Sequence, residues 1–518
     1  MKRKFLSLGL AAVMLLLSLA ACSSGNEPKD NTNQDNTNPS KENSEVASTE
    51  SGEVEKIVFS FPATKIIDGI EMVEADVNKI TKEKIGVEVH FEPISMAKYS
   101  EQVNLMMSSG EQLDAISYLG TFSQLLSRNQ LMAMDDYIDV YGKEAKEALG
   151  ENFLKSATSK GSLYGLPTLN GKAAVLNIVL RKDKLEENNI STDGLKQASN
   201  FKEYTENLDI LSDIFAKLKE AEPDMVMLVP GSSASMYFTT VPFVDDLGDN
   251  YGVLVEGENK VSNVYESEEF KTLLSYSRDW YNKGYILQDA ATTTESNNTY
   301  LQSGRTTGYF IPGEEGQAEQ ITTATGVEVE AIKLLNPYIN TNGVNGMGFG
   351  IASTSKHPEA AMKWLNEMYS NPDVVNLLDW GIEGVHYEKQ EDGTIDFPEG
   401  VDANNTTYGL NMDWFFGNQF LGYIWGKGRD TTIYERLDQN NKTATFSSAL
   451  GFSYDSTKVR NELTALKNVY DEYMPGLMTG TIDPDTELPK YLEALDKAGL
   501  PVVIEEKQKQ YDEWTKNQ

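Results

Sequence analysis

The chain has 518 residues, 40% of them hydrophobic, which is long enough for two or three domains of ordinary size. Its formal net charge is -34, from 45 basic and 79 acidic residues, and such a charge repels nucleic acid and anionic head groups, so we expect no nucleic-acid partner. Cys22 is the single cysteine, so no intramolecular disulfide can form and stability must come from a packed core.

The N-terminus has the pattern of a bacterial lipoprotein signal peptide. Basic residues 2–4 precede an apolar run at residues 5–19, and small residues then lead to Cys22. The run is shorter than the roughly 20 apolar residues that a membrane helix needs. The pattern predicts removal of residues 1–21 and membrane attachment through lipidated Cys22, with an ordinary secretory signal as the alternative. Either reading places the protein outside the cytoplasm.

Residues 22–55 are expected to carry the lipid and form a disordered tether. The segment after Cys22 is rich in Asn, Ser, Thr and Glu, has no aromatic residue and has almost no aliphatic side chains. Such a composition cannot bury enough surface to offset the entropy of ordering. We expect the tether to give reach to a folded body that begins at Lys56.

Residues 56–118 predict an α/β unit. Apolar runs at residues 57–61 and 113–118, and an alternating run at residues 87–91, have the pattern of strands. Apolar residues at helical spacing follow the first run, and residues 99–109 predict a helix that ends at a glycine. This order predicts parallel strands with right-handed crossovers.

In such a sheet, ligands collect at the carboxyl ends of the strands. The loops at residues 62–69 and 118–122 occupy that position and form a potential site. Residues 174–180 read as a long strand suited to bridging two lobes. Residues 346–353 read as a glycine-broken strand that returns the chain to the first lobe.

Later segments have helical patterns. Residues 268–282 follow Ser267, whose hydroxyl can cap a helix, and residues 358–369 begin with a proline, which suits the first turn. The chain ends in two helical stretches around residues 458–473 and 488–498.

The common catalytic and metal-binding motifs are absent from the sequence. It contains no HExxH, Cys/His cluster, GxSxG, Walker loop or EF-hand pattern, so we expect no cofactor and no metal site of these kinds. His90 and His357 have ordinary structural readings, and His386 is the histidine that we place near a site.

Glu314 and Glu315 are the most suggestive pair of acids because glycines on both sides allow that backbone to approach a ligand. A glycosidase needs two carboxyl groups across a bound sugar, so the pair keeps a surface-anchored glycoside hydrolase or lyase open. A solvated acidic loop is the structural alternative.

Aromatic residues in polar, glycine-rich contexts are the positive signal. The chain has 25 Tyr and 6 Trp, and rings cluster at residues 414–420 and 423–426. Flat rings stack on the apolar face of a sugar, while amides and carboxylates bind its hydroxyls. The alternative is that these rings pack a satellite core.

Together these features resemble extracellular solute-binding lipoproteins of carbohydrate ABC importers. The resemblance covers essentially the whole chain and points to the long subgroup with an extra C-terminal domain of unknown function. It rests on the lipobox, the tether, the strand at residue 57 and the motifs at residues 77–85, 102–111, 312–317, 380–388, 417–420 and 505–514.

The resemblance implies a periplasmic-binding-protein-like α/β fold, with two α/β lobes joined by hinge strands and a ligand cleft between them. The two-lobed domain would span residues 56–390, with a first crossing near residues 165–180. Residues 391–518 would form a C-terminal extension packed on the lobes.

The resemblance also implies a binding protein and not an enzyme. It would capture a sugar or oligosaccharide by cleft closure and deliver it to ABC permease subunits in the membrane. We expect a monomer on the extracellular face of a Gram-positive cytoplasmic membrane. A binding lipoprotein for a peptide or another polar solute is a further alternative.

The site residues that the resemblance implies divide by role. Tyr118 and Trp414 would stack on sugar rings, and the remainder would recognise hydroxyls or lock the C-terminal extension against the lobes. The remaining residues are Asn170, Glu314, Glu315, Gln317, Glu383, His386, Asn418 and Gln419.

Overall fold

The computed structural model describes residues 54–516, except residues 66, 174, 232–233 and 314. The predicted signal peptide, the lipid attachment at Cys22, the tether up to residue 53 and Glu314 all lie outside the described residues. Within the described part of the chain, no helix combines the length and the apolar character needed to cross a bilayer.

Short and long strands are distributed along the whole described chain. They are β1 Glu55–Ala63, β2 Val87–Ser95, β3 Ala115–Leu119, β4 Thr158–Ser159, β5 Ser162–Leu163, β6 Leu166–Pro167, β7 Val175–Arg181, β8 Val226–Leu228, β9 Val244–Asp245, β10 Val253–Val255, β11 Val261–Ser262, β12 Thr306–Gly313, β13 Val329–Lys333, β14 Tyr338–Ile339, β15 Met347–Ile351, β16 Glu388–Lys389, β17 Ile395–Asp396 and β18 Thr445–Phe446.

Helices alternate with these strands and dominate the C-terminal part. They are α1 Ile70–Ile85, α2 Tyr99–Ser109, α3 Phe122–Ser127, α4 Asp135–Tyr141, α5 Lys143–Ser156, α6 Lys182–Glu187, α7 Phe201–Ala221, α8 Glu268–Asn282, α9 Asn297–Gln302, α10 Gln317–Thr325, α11 Thr341–Asn345, α12 Pro358–Ser370, α13 Pro372–Trp380, α14 Ile433–Thr443, α15 Arg460–Met478, α16 Pro484–Ala498 and α17 Leu500–Thr515.

Lobe 1 is built on a five-stranded sheet in the order β2-β1-β3-β15-β6. Strand β1 is parallel to β2 and β3, while β15 is antiparallel to β3 and β6. Helices α1 and α2 connect the parallel strands, so the predicted order of strands and helices is confirmed. The rings of Phe59, Phe61, Phe91 and Trp364 contact one another in its core.

Lobe 2 is built on a four-stranded sheet in the order β13-β7-β12-β8. Strand β7 is antiparallel to β12 and β13, and β12 is parallel to β8. Helices α7 and α8 supply core residues such as Phe215 and Trp280, whose ring centroids lie 5.1 Å apart. Helix α8 begins as predicted, because the Ser267 hydroxyl accepts a hydrogen bond from the Phe270 N–H at 3.1 Å.

The chain passes between the lobes three times. Residues 168–174 lead from β6 to β7, residues 334–346 lead from β13 back to β15, and residues 444–459 lead from α14 to α15. The second and third passages pair with each other, because β14 and β18 form a two-stranded parallel sheet. Strand β7, which the sequence suggested as a bridge between the lobes, lies within the sheet of lobe 2.

The residues after 390 pack against both lobes. Phe415 and Phe416 are fully buried in the core of lobe 1. Leu466 of α15, Tyr491 of α16 and Val503 of α17 belong to the core of lobe 2. The sequence patterns predicted the first two of these three C-terminal helices, and α17 was missed.

Candidate ligand cleft

A cavity of about 310 Å³ lies where lobe 1, α14 and lobe 2 meet. We call it the indole pocket, because three tryptophans line it. Its size falls at the lower end of the range usual for ligand sites. The lining consists of Asn170, Gly171, Gln320, Trp380, Asn411, Asp413, Trp414, Gln419, Ile424, Trp425, Arg429, Ile433, Tyr434 and Leu437.

The segment that carries Trp414 is fixed by backbone contacts to the first passage between the lobes. Gly417 has φ +55°, and a Cβ there would lie 2.1 Å from the Met368 carbonyl oxygen, so the close approach requires glycine. The Leu169 N–H donates to the Gly417 carbonyl at 2.8 Å, and the Gln419 N–H donates to the Leu169 carbonyl at 2.9 Å. The segment that carries Trp414 is therefore hydrogen-bonded to the start of the first passage between the lobes.

Aromatic rings form one wall of the indole pocket. The Trp380 and Trp425 rings stack with centroids 5.3 Å apart and an interplanar angle of 28°. Phe397 supports Trp425 from the side, with its ring edge-on at 4.7 Å. Trp414 is half-buried and rests edge-on against Phe415. Trp414 and Trp425 are partly exposed and can offer flat apolar faces to a ligand, whereas Trp380 is only 3% exposed and supports Trp425 from behind.

A carboxylate network forms the polar side of the pocket. Asp413 Oδ2 accepts hydrogen bonds from Gln419 Nε2 at 2.8 Å and from the Tyr434 hydroxyl at 2.7 Å. Burial, followed by the nearby Asp413 charge, raises the pKa of Tyr434 above its ordinary value. Tyr434 is therefore a neutral donor, and Asp413 is oriented from two sides.

Asp379 lies behind the rings as a second, deeper carboxyl. It is 0% exposed, and neither side-chain oxygen has a hydrogen-bond partner within the described residues. Burial and then the Asp413 charge raise the pKa of Asp379 well above its ordinary value. Burial therefore disfavours the charged form of Asp379.

Two other recesses have a different character. A groove of about 920 Å³ lies between β11 and α17, and none of its lining residues is aromatic. A smaller recess of about 200 Å³ brings Gly120 and Ser123 of lobe 1 next to Asp249 and Tyr454. The predicted loop at residues 118–122 contributes to this second recess and not to the indole pocket.

Three of the predicted site residues come together in the indole pocket: Asn170, Trp414 and Gln419. Asn170 Nδ2 donates to the Trp414 carbonyl at 2.6 Å, which joins the first passage to the aromatic segment. Asn418 lies next to them but points inward, where its side chain accepts from the Phe420 N–H and donates to the Tyr369 carbonyl.

The other described site residues lie elsewhere. Tyr118 is 0% exposed and its hydroxyl donates to Asn345 Oδ1 at 2.8 Å, so its ring offers no face to the cleft. Glu383 is at the surface and pairs with Lys389 at 2.9 Å. Gln317 begins α10 next to Gly313 and does not line the pocket.

His386 and Glu315 are held by protein contacts. His386 is 2% exposed, accepts from the Ile382 N–H at Nδ1 and contacts the Thr407 hydroxyl at Nε2. Burial lowers the pKa of His386, so the ring is neutral, and its hydrogen bonds stabilise the 380–388 segment. Glu315 pairs with Lys333 and Arg436.

Sequence reasoning missed several residues of the pocket. Asp413 precedes Trp414 directly, Trp425 lies in a segment noted for its aromatic content, and Trp380 begins the motif at residues 380–388, so these could have been named. Gln320, Arg429 and Tyr434 come from segments without a comparable signal, because only the approach of α10 and α14 brings them to the pocket. No group of three or more metal-ligating side chains occurs within the residues that the structure describes.

Comparison with known proteins identifies two sequence families along the chain. A family model described as "Bacterial extracellular solute-binding protein" matches residues 76–381. A second model, the "Domain of unknown function (DUF3502)", matches residues 448–516, which include α15, α16 and α17.

Individual relatives cover most of the chain. A "Carbohydrate ABC transporter substrate-binding protein" of Streptococcus pneumoniae is 28% identical over 469 residues, which are 87% of this chain and 89% of the relative. The polygalacturonan/rhamnogalacturonan-binding protein YtcQ of Bacillus subtilis is 23% identical over 72% of this chain and 74% of its own length.

The fold is similar to solved structures of transport proteins. The N-glycan transport solute binding protein NgtS of Streptococcus pneumoniae superposes with a TM-score of 0.70 at 24% identity, covering 90% of this chain and 100% of NgtS. NgtS in complex with Man1GlcNAc superposes with a TM-score of 0.61. These similarities confirm the predicted periplasmic-binding-protein-like fold.

Proposed function

We propose that this chain, which belongs to the family of bacterial extracellular solute-binding proteins, is the binding component of an ABC importer for a sugar or oligosaccharide. The observation that carries the proposal is the indole pocket, which combines aromatic faces with Asp413, Gln419 and Asn170. Rings of this kind stack on sugar faces, and the polar groups bind hydroxyls. The carbohydrate transporter protein of S. pneumoniae and the polygalacturonan/rhamnogalacturonan-binding protein of B. subtilis, both similar to this chain, support the same ligand class.

The indole pocket favours binding of a sugar without chemical change to it. Among the described lining residues, Asp413 is the only carboxylate, and its Oδ2 already accepts two hydrogen bonds. A glycoside hydrolase places two carboxyl groups on either side of the scissile bond. The pocket therefore supports binding and not the hydrolase or lyase alternative.

Contact of one ligand with both lobes would favour the closed arrangement of the protein. A ligand in the indole pocket would contact lobe 1, α14 and Gln320 of lobe 2 together, so binding would favour the arrangement in which they meet. The closed complex would then dock on membrane permease subunits and release the sugar to them.

The place of action follows from the N-terminal sequence. We propose that Cys22 carries a lipid, that residues 22–55 form a flexible tether, and that the protein acts as a monomer on the outer face of a Gram-positive cytoplasmic membrane. The lipobox pattern and the composition of the segment support this proposal.

Thermal melting and calorimetric titration with mannose–N-acetylglucosamine oligosaccharides, galacturonate oligosaccharides and a peptide pool would test the proposal. We expect stabilisation by at least one sugar class and by no peptide, because a ligand at 100 times its Kd adds about 2.7 kcal/mol to the free energy of unfolding. Release of new reducing ends from the sugars, or stabilisation by peptides alone, would contradict it.

Replacing Trp414 by alanine tests the pocket itself. Loss of a stacking indole should weaken sugar binding about tenfold or more, while the protein keeps its melting transition. Trp514→Ala is the matched control, because Trp514 is also partly exposed but packs on Phe452 and Tyr511 in the C-terminal extension. Equal affinity of the Trp414 variant and the wild type would remove this residue from the site.

A further inference from the structure

Helix α14 is attached to the first passage between the lobes. Asn441 Oδ1 accepts from the Lys172 N–H at 2.8 Å and from the Ala173 N–H at 3.1 Å. Asn441 Nδ2 donates to the Asn170 carbonyl at 2.7 Å. Tyr434, in the first turn of the same helix, donates to Asp413 of the aromatic segment. Through these bonds, α14 is fixed to the lobe 1 side of the indole pocket.

The opposite side of α14 is bound to lobe 2 by Glu315, which lies in the connection between β12 and α10. Asn440 Nδ2 donates to Glu315 Oε1 at 2.9 Å, and Arg436 Nε donates to Oε2 at 3.1 Å. Lys333 of β13, within lobe 2, also donates to Oε1. We call the contacts of Glu315 with Arg436 and Asn440 the Glu315 latch.

The surroundings of the Glu315 latch are suited to a strong contact. Glu315 is 9% exposed. Burial acts to raise the pKa of Glu315, but the hydrogen bonds from Lys333, Asn440 and Arg436 outweigh it and hold the pKa below its ordinary value. Charge-assisted hydrogen bonds to a buried carboxylate are among the stronger polar contacts in proteins.

An apolar contact lies beside the latch. Gly316 has φ +73°, and a Cβ at that position would lie 2.8 Å from Ile433 Cδ1, so the start of α10 and the start of α14 approach closely. Ile433, Tyr434 and Leu437 of α14 all line the indole pocket. The helix that Glu315 holds is therefore a wall of the pocket.

We propose that Glu315, together with Arg436 and Asn440, forms an interlobe latch that positions the α14 wall of the indole pocket against lobe 2. Movement of the lobes apart would leave Asn441 bound to the first passage, and it would break the bonds from Glu315 to α14. The latch thus sets the equilibrium between apposed and separated lobes before any ligand binds. Its bearing on affinity rests on the proposed function.

The distance between spin labels on the two lobes of the ligand-free full chain tests the latch. Leu105 on α2 is 59% exposed and the Lys202 side chain on α7 is 86% exposed, so both accept a labelled cysteine in a Cys22→Ser background. In the Glu315→Gln variant, we expect the ratio of separated to apposed lobes to rise about tenfold.

Three further variants sharpen the test. Arg436→Met should shift the distances in the same direction, and it serves if Glu315→Gln fails to fold. The double variant should shift them no further than the stronger single one, because partners in one contact are not additive. Glu319→Gln changes an exposed acid on the adjoining helix α10 and should leave the distances unchanged.

A folded Glu315→Gln protein whose distance distribution superposes on that of the wild type would overturn the latch. An equal shift in Glu319→Gln would also overturn it, since the effect would then come from general charge. Because no sugar is present in these measurements, a failure of sugar binding leaves the result intact. A failure of the latch, in turn, leaves the sugar titrations unaffected.

Discussion

The first passage between the lobes and the junction of α17 with lobe 2 each contain a lysine removed from solvent, but with different partners. Lys507 of α17 is 0% exposed, and its Nζ donates to Asp249 Oδ1 and the Gly252 carbonyl, each at 2.8 Å. Lys172 of the first passage is 7% exposed, and its Nζ donates to the Thr168 hydroxyl at 2.9 Å.

Burial lowers the pKa of both ammonium groups, but only Lys507 has a charged partner that opposes this effect. Around Lys507, the charge of Asp249 opposes burial, and the carbonyls of Asp246 and Asp249 add weaker contacts at 3.3 and 3.4 Å. Around Lys172, burial acts without such a charge and lowers the pKa to about 7. The two buried lysines thus differ in whether a carboxylate faces the ammonium group, and Lys172, with a pKa of about 7, is close to half-neutral at physiological pH.

The largest expected effect is from Lys507→Met. The substitution removes the cation and leaves the Asp249 carboxylate and nearby carbonyls without their partner, so the free energy of unfolding should fall by about 3–5 kcal/mol. Urea unfolding at pH 7 measures this change. Lys458→Met is the control, because Lys458 pairs with Glu506 at 2.8 Å but its side chain is 65% exposed, so its loss should change the free energy of unfolding far less. Equal losses would contradict the distinction.

The next effect is a pH dependence carried by Lys172. Its pKa of about 7 in the folded chain lies below the ordinary value of 10.5, so the unfolded chain binds more protons between these values. The free energy of unfolding of the wild type should therefore rise with pH from 7 upward, relative to that of Lys172→Met. From pH 7 to pH 9 we expect a relative gain on the order of 2 kcal/mol.

Urea unfolding of both proteins at the two pH values isolates the Lys172 contribution, because the other titrating groups are shared. Lys182→Met, in which a 44% exposed lysine of α6 is replaced, should follow the wild-type pH dependence. Parallel curves for the wild type and Lys172→Met would show that Lys172 keeps an ordinary pKa.

The smallest of the three effects is expected from Asn441→Ala. This buried amide binds three backbone groups of residues 170–173, and its loss leaves the Lys172 and Ala173 N–H groups unpaired. The free energy of unfolding should fall by about 1–3 kcal/mol. Asn440→Ala is the neighbouring control for stability, because its single bond to Glu315 is one of several made by that carboxylate. A larger loss in the Asn440 variant would contradict this ranking.

How far the fold could be predicted depended on the distance along the chain between paired strands. The first three strands of lobe 1 follow one another and alternate with helices, so periodicity was enough to predict them. The sheet of lobe 2 pairs β7 with β12 and β13, which lie more than 100 residues further on, and local patterns carry no such pairing. Helix α17 was missed because its sequence continues directly from α16 after Gly499.

The same limit applies to the site. Trp414, Gln419 and Asn170 could be named from composition and resemblance, and they lie together in the indole pocket. Tyr118 lies in the predicted apolar strand at residues 113–118, but its ring points into the core of lobe 1, which the period of a short strand does not reveal. Glu315 was recognised as unusual from its glycine neighbours. Its partners on α14 lie over 100 positions further along the chain, so no local pattern could predict these contacts.

The pairing of β14 with β18 has a mechanical consequence. The second and third passages are hydrogen-bonded to each other through Tyr338–Ile339 and Thr445–Phe446, and the described residues of the first passage are not part of this sheet. Because these two passages are joined to each other, any movement of one lobe against the other would carry them together.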